Sequence, residues 1–252
     1  MAWVENLRVG DMAARLYGGA AAHGLIIYLH GGGGCVGSLD SHDTICRRLA
    51  LASGRWLLAL DYPLAPEHPY PTALRTIQAT LRGPLPVPKT AKEARPCLAG
   101  DSAGASLVLE LALNDRCIAT WAEALILLYG NFVYECAAES HRLFGGGAYG
   151  LSDHALKRYW AAYFAAPPST YRHRNLIQRV TDVSLPRTLV LAAGLDPLRD
   201  DSVYLAERMA ANGQSIRLDH APALPHGFLS YAASVAAVRE VFTEIAAWLN
   251  AP

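Results

Sequence analysis

The sequence predicts an α/β fold, a mostly parallel central sheet flanked by helices, and three observations carry that expectation. Short apolar runs alternate with helical patterns, as parallel strands joined by crossover helices require. One such run, Pro96-Cys97-Leu98-Ala99, leads through Gly100-Asp101-Ser102-Ala103-Gly104 into the helical stretch 106–113, so a G-x-S-x-G stands between strand and helix. Another, Leu25-Ile26-Ile27-Tyr28-Leu29, ends in His30-Gly31-Gly32-Gly33-Gly34.

Taken in order, residues 12–17 form the first strand-like run and 25–29 the next. Residues 41–52 read as a helix, 56–60 as a strand and 71–81 as a second helix. Residues 83–96, with four prolines, read as a surface connector. Strand patterns return at 124–129, 188–193 and 215–220. A closing helix over 233–249 carries Val235, Val238, Val241, Phe242 and Ile245 at helical spacing. Between about 131 and 181 the strand rhythm lapses. This stretch reads as a cap insertion after the sixth strand of a single domain, 1–252. Its helix candidate, 153–164, carries Tyr159, Trp160, Tyr163 and Phe164, expected mainly to pack, with one or two facing a pocket. Gly145-Gly146-Gly147 lacks a following Lys-Ser or Lys-Thr and reads as a turn or hinge, not a phosphate loop.

The chemistry starts from Ser102. A tight turn between strand and helix lifts its hydroxyl above the sheet, and Gly100 and Gly104 leave room for that turn. The glycines after His30 let backbone N–H groups approach a substrate carbonyl, where a tetrahedral oxyanion needs donors already in place. Losing one such donor costs roughly 2.7–4 kcal/mol of barrier. The run 188–193 leads to Asp196, and His226 follows Ala223-Leu224-Pro225 shortly before the closing helix. The order Ser102, Asp196, His226 is that of an α/β-hydrolase. Ser102 would attack, His226 would take its proton, and Asp196 would fix the imidazole tautomer and stabilise its cation. Asp200, Asp201 and His220 are rivals. The two acids look like first-turn helix residues favoured by the helix dipole, and His220 closes an apparent strand. Asp101, inside the turn, reads as a structural hydrogen-bonding residue.

Together, His30-Gly31-Gly32-Gly33, Asp61-Tyr62-Pro63-Leu64-Ala65-Pro66-Glu67-His68-Pro69-Tyr70-Pro71, Gly100-Asp101-Ser102-Ala103-Gly104, Asp196-Pro197-Leu198-Arg199-Asp200-Asp201 and His226-Gly227-Phe228 resemble the bacterial hormone-sensitive-lipase family of esterases. The stretch Gly37-Ser38-Leu39-Asp40-Ser41-His42-Asp43 is similar to its acetyl esterase branch. The resemblance implies an α/β-hydrolase fold and a Ser102–His226–Asp196 triad. It also implies an oxyanion hole from the N–H groups of Gly32, Gly33 and Ala103, with Glu67 and Asp61 supporting the nearby loop. No metal or cofactor is implied. Two departures stand out. Gly34 occupies a position where the family carries a bulky side chain, so one pocket wall is expected to be open. The first strand-like run begins near residue 12, so the cap is expected to be reduced.

Composition narrows the alternatives. Hydrophobic residues make up 52% of the chain, ample for one buried sheet. Twenty-two basic and 22 acidic residues give zero formal charge, so there is no electrostatic case for nucleic acid or an anionic membrane surface. That balance is compatible with a homo-oligomer. Five cysteines (35, 46, 97, 117 and 136) show no C-x-x-C spacing, which argues against a disulfide framework or structural zinc and suits a reducing compartment. The N-terminus lacks a basic region followed by an apolar core, and no apolar run is long enough to span a bilayer. The expectation is a cytoplasmic serine carboxylesterase acting on small-molecule, short-acyl esters, acetyl to butyryl. An amidase or formamidase on the same triad is the alternative. A non-catalytic, ligand-binding use of the fold stands behind both.

Overall fold

The computed structural model describes residues 3–251 apart from 20, 172 and 173. The chain opens with a hairpin, β1 (Trp3–Val9) and β2 (Met12–Gly18), followed by β3 (Leu25–Leu29). Then come α1 (Asp43–Ser53), β4 (Trp56–Leu60), α2 (Thr72–Arg82), β5 (Cys97–Asp101), α3 (Ala103–Asn114), α4 (Arg116–Trp121) and β6 (Ala124–Leu128). The long segment to the next strand holds α5 (Glu139–Phe144), α6 (Asp153–Phe164), α7 (Pro168–Tyr171) and α8 (Leu176–Arg179). The chain ends with β7 (Arg187–Leu195), α9 (Arg199–Ala211), β8 (Ile216–Pro225) and α10 (Ala236–Leu249).

The eight strands form one sheet in the order β1-β2-β4-β3-β5-β6-β7-β8. β2 runs antiparallel to both β1 and β4, and every pair from β4 through β8 is parallel. The central strands are buried along their whole length, as a sheet covered on both faces demands. Alternate residues divide between two cores. Ile27, Leu29, Leu58, Leu98 and Leu125 face α2 and α3, while Ile26, Tyr28, Leu57, Ala99 and Ile126 face α1 and α10. The covering helices earn their places by amphipathic spacing. α2 buries Ala73, Leu74, Ile77 and Leu81, and α10 buries Val238, Val241, Phe242, Ile245 and Leu249. Local signals set several ends. Asp115 caps α4 through the Cys117 and Ile118 amides, Ser152 caps α6 through Ala155 N, and Gly54 closes α1 in the left-handed region.

The expected elements are found, together with α4, α5, α7 and α8, which no pattern predicts; the closing helix starts at Ala236 rather than 233, and two strands also differ. β1 precedes the run expected to come first; its burial is scattered, so it shows no clean alternation. β8 continues past residue 220 to Pro225, which places His226 directly on a strand end. Pro222 and Pro225 obscured this, yet β8 is an edge strand, where a missing N–H is tolerated. Gly146 pairs with Ser152 in an isolated bridge, and the Gly145 amide closes α5 on His141 O, so the glycine triplet is a turn.

The tightest backbone contact lies between α3 and β3. A Cβ at Gly104 would lie 2.6 Å from His30 O and closer still to Leu29 O. Gly146, by contrast, has open space at that position and an ordinary φ. Gly104→Ala should therefore lower stability by about 3 kcal/mol or prevent folding, whereas Gly146→Ala should change it by less than about 1 kcal/mol. Denaturant unfolding of both variants checks the contrast.

Candidate active site

Ser102 occupies the turn between β5 and α3 with φ 51° and ψ −122°, a conformation L residues avoid. Its amide donates to Leu128 O at 2.8 Å, which ties the turn to β6. Its hydroxyl faces His226, with Oγ 2.9 Å from Nε2. The other ring nitrogen, Nδ1, lies 2.7 Å from Asp196 Oδ2. Asp196 is wholly buried at the end of β7, and its Oδ1 accepts from Leu198 N at 2.9 Å. Burial by itself pulls the His226 imidazole down, but the adjacent Asp196 carboxylate outweighs it and holds the ring above its ordinary value. Tyr129 abuts the imidazole edge-on, with ring centroids 5.2 Å apart.

The glycine loop adjoins this pair. Gly32, Gly33 and Gly34 all have positive φ (116°, 64° and 72°), and Gly32 O accepts from both Cys35 N and Val36 N at 3.0 Å. Gly32, Gly33 and Ala103 border the same cavity as Ser102 and His226. Among the described residues, none of these three amides has an acceptor within the chain. Three free donors beside the Ser102 hydroxyl suit an anion.

A buried polar platform holds the loop. Asp101 Oδ1 accepts from Tyr28 Oη at 2.7 Å and from Gly31 N at 2.9 Å, with His42 Nε2 at 3.4 Å. Burial would push the Asp101 carboxyl up, yet His42 and the hydroxyl and imidazole bonds bring it below its usual range. Tyr62 stacks on His30 (centroids 4.4 Å apart) and donates to His30 O at 2.6 Å. Asp61 lies 4.0 Å from His30 Nε2, but Glu67 is exposed and takes no hydrogen bond among the described residues. The expected support from Glu67 is therefore corrected: Tyr62, two residues before Leu64, does that work.

The expected gap at Gly34 is also filled. A Cβ there would lie 2.5 Å from Tyr163 Cδ2, and one at Gly33 would lie 2.5 Å from Tyr159 Cγ. Aromatic side chains of α6 thus cover the loop that carries no side chains of its own. Tyr159, Trp160 and Tyr163 line the cavity of about 240 Å3, while Phe164 stacks on Tyr171. Asn131 positions Trp160, its Oδ1 accepting from the indole Nε1 at 2.6 Å.

The rival residues have other duties. His220 is exposed within β8. Asp200 and Asp201 do lie in the first turn of α9, but their side chains reach the β6–β7 segment. Asp200 Oδ2 accepts from Ser140 N at 2.8 Å, and Asp201 Oδ2 accepts from Phe132 N and Val133 N, both at 2.9 Å. Nothing in the sequence pattern signals these long-range bonds except the density of acids after Asp196.

Comparison with known proteins supplies the family. A family signature described as an alpha/beta hydrolase fold matches residues 26–230. The chain belongs to that family of α/β hydrolases, and within it to the hormone-sensitive-lipase-like esterases. It is 32% identical over 228 residues to Esterase LipI of Mycobacterium tuberculosis (strain ATCC 25618 / H37Rv), covering 86% of this chain and 69% of that one. It is 34% identical over 239 residues to the acetyl esterase of Salmonella schwarzengrund (strain CVM19633), covering 88% and 71% respectively. The crystal structure of an esterase from the bacterial hormone-sensitive lipase family superposes with a TM-score of 0.87 at 26% identity, over 98% of this chain and 84% of that one.

Asp201 yields a test. Burial pushes its carboxyl up to about 7, against the pull of the Val133 and Phe132 amides, whereas an unfolded Asp titrates near about 3.9. Between those values the folded state holds a proton that the unfolded chain lacks. The stability this contributes is complete below about pH 4 and is lost as pH rises towards 7. Asp201→Asn cannot ionise and escapes that loss. Its melting temperature relative to wild type should therefore rise between pH 5 and pH 8. A difference that stays flat would mean Asp201 titrates normally.

Proposed function

We propose that the protein is a serine carboxylesterase acting on small, short-acyl esters, acetyl to butyryl, through an acyl-enzyme. The observation that carries this reading is the hydrogen-bonded chain from Ser102 Oγ through His226 to buried Asp196 beside three amides free to bind an oxyanion. His226 Nε2 takes the Ser102 proton as Oγ attacks the ester carbon. The N–H groups of Gly32, Gly33 and Ala103 stabilise the charge on the carbonyl oxygen. The imidazolium then protonates the departing alkoxide, and a water activated by the same histidine hydrolyses the acyl-enzyme. Asp196 keeps the Nδ1 proton in place throughout. A cavity of about 240 Å3 and the acetyl esterase relative support a short acyl group.

We further infer that residues 131–181 act as the cap of a single domain, since Trp160 and Tyr163 from this segment wall the cavity. Among the described residues no helix is long and apolar enough to cross a membrane. All five cysteines are free, which supports a reducing, cytoplasmic location.

Three experiments test the reading. Wild type should hydrolyse p-nitrophenyl acetate and butyrate faster than octanoate, and Ser102→Ala should lose about 10^4-fold or more. Equal background rates from both proteins on all three esters would sink it. The kcat/KM for p-nitrophenyl acetate should rise with pH through a single ionisation above the ordinary histidine value of about 6.5, because His226 acts as its neutral form. Asp196→Asn should lower kcat by about 10^4-fold. A profile flat from pH 5 to 9 would exclude His226 as the base.

A further inference from the structure

One buried carboxylate in the cavity has no part in the mechanism above. Glu110 interrupts the apolar run Leu107-Val108-Leu109-Glu110-Leu111-Ala112-Leu113 on α3 and is only 3% exposed. A charge this deep is costly unless it is bonded or used. Its Oε1 accepts from Tyr70 Oη at 2.8 Å and lies 3.4 Å from an Arg174 nitrogen. Arg174 spends its closest contact on the Tyr70 hydroxyl, stacks on the Tyr70 ring at 4.1 Å, and leaves 32% of its side chain exposed. Among the described residues nothing bonds to Glu110 Oε2, and Glu110 borders the cavity with Ser102.

We propose that Glu110 forms a binding subsite for a cationic group on the alcohol part of the ester, so that the substrates are short-acyl esters of amino alcohols. This rests on the short-acyl esterase reading, in which the acyl group is small and the longer part of the substrate is the alcohol. Ser102, at the N-terminal cap of α3, and Ser106 and Glu110 within it follow one another at intervals of four and border one cavity. Two turns separate Ser102 from Glu110 by about 12 Å, and the glutamate leans back towards the serine, so an arm of about five to seven atoms spans the gap. Tyr134, Trp160 and Tyr163 line the same cavity, and aromatic faces attract cations. Without Glu110, an ammonium among these side chains and Leu156 would be buried unpaired.

The test compares 5-(dimethylamino)pentyl acetate, protonated at neutral pH, with 6-methylheptyl acetate, which has CH in place of the NH+. For wild type, the ratio of kcat/KM for the cationic ester to that for the neutral one should be one or greater, and Glu110→Gln should lower it at least tenfold. The glutamine keeps an acceptor for Tyr70 and removes only the charge. A wild-type ratio below one overturns the subsite, whether or not the variant folds, and so does a ratio unchanged by Glu110→Gln. p-Nitrophenyl acetate, which carries no cation for Glu110 to bind, separates the two readings. If wild type turns it over while the ratio fails, the subsite alone falls. If wild type turns over none of the three esters, the esterase reading falls with it.

Discussion

The close approach of the α3 N-terminus to the end of β3 is the constraint on which the site depends. Gly100 and Gly104 allow backbone to pack directly on backbone at Leu29 and His30, and Ser102 is held in a conformation it would not adopt alone. That packing brings the first amide of α3 next to the glycine loop, so donors from two distant stretches border one cavity. The parallel sheet then sets the rest. β7 and β8 end on the same side as β5, and their last residues lead straight to Asp196 and His226.

Much of this was legible because it is local. A continuous apolar run followed by glycines can form little besides a buried strand and a tight turn, so Leu25–Leu29 and Cys97–Asp101 were plain from their residues. The helix over Asp153–Phe164 was equally plain, with Ser152 before it and no glycine or proline within it. The serine, acid and histidine followed from order along the chain and from their places after strands. What could not be read was set by contacts between distant segments. β1 owes its existence to pairing with β2, not to its own pattern. Tyr62 lay in plain view, but only the fold brings its hydroxyl to His30 O. Gly34 suggested an opening because a missing side chain is visible in sequence, whereas the tyrosine that fills the space lies far along the chain.

The three acids after β7 show how one short stretch joins the reacting centre to its cover. Asp196 serves His226, while Asp200 and Asp201 hold backbone amides of the segment that walls the cavity. The latter two satisfy donors that have no regular secondary-structure partner, at 132, 133 and 140. The covering segment is thus registered against the same helix start that follows Asp196.

The bare glycine loop under Tyr159 and Tyr163 has a consequence for how such a site diversifies. Its backbone offers free amides to the cavity, whereas its surface texture is lent by a helix more than a hundred residues away. Shape and reactivity are therefore written in separate parts of the chain. Residues 159 and 163 can be exchanged to recut the mould in which a substrate lies, while the row of amides beneath keeps its geometry.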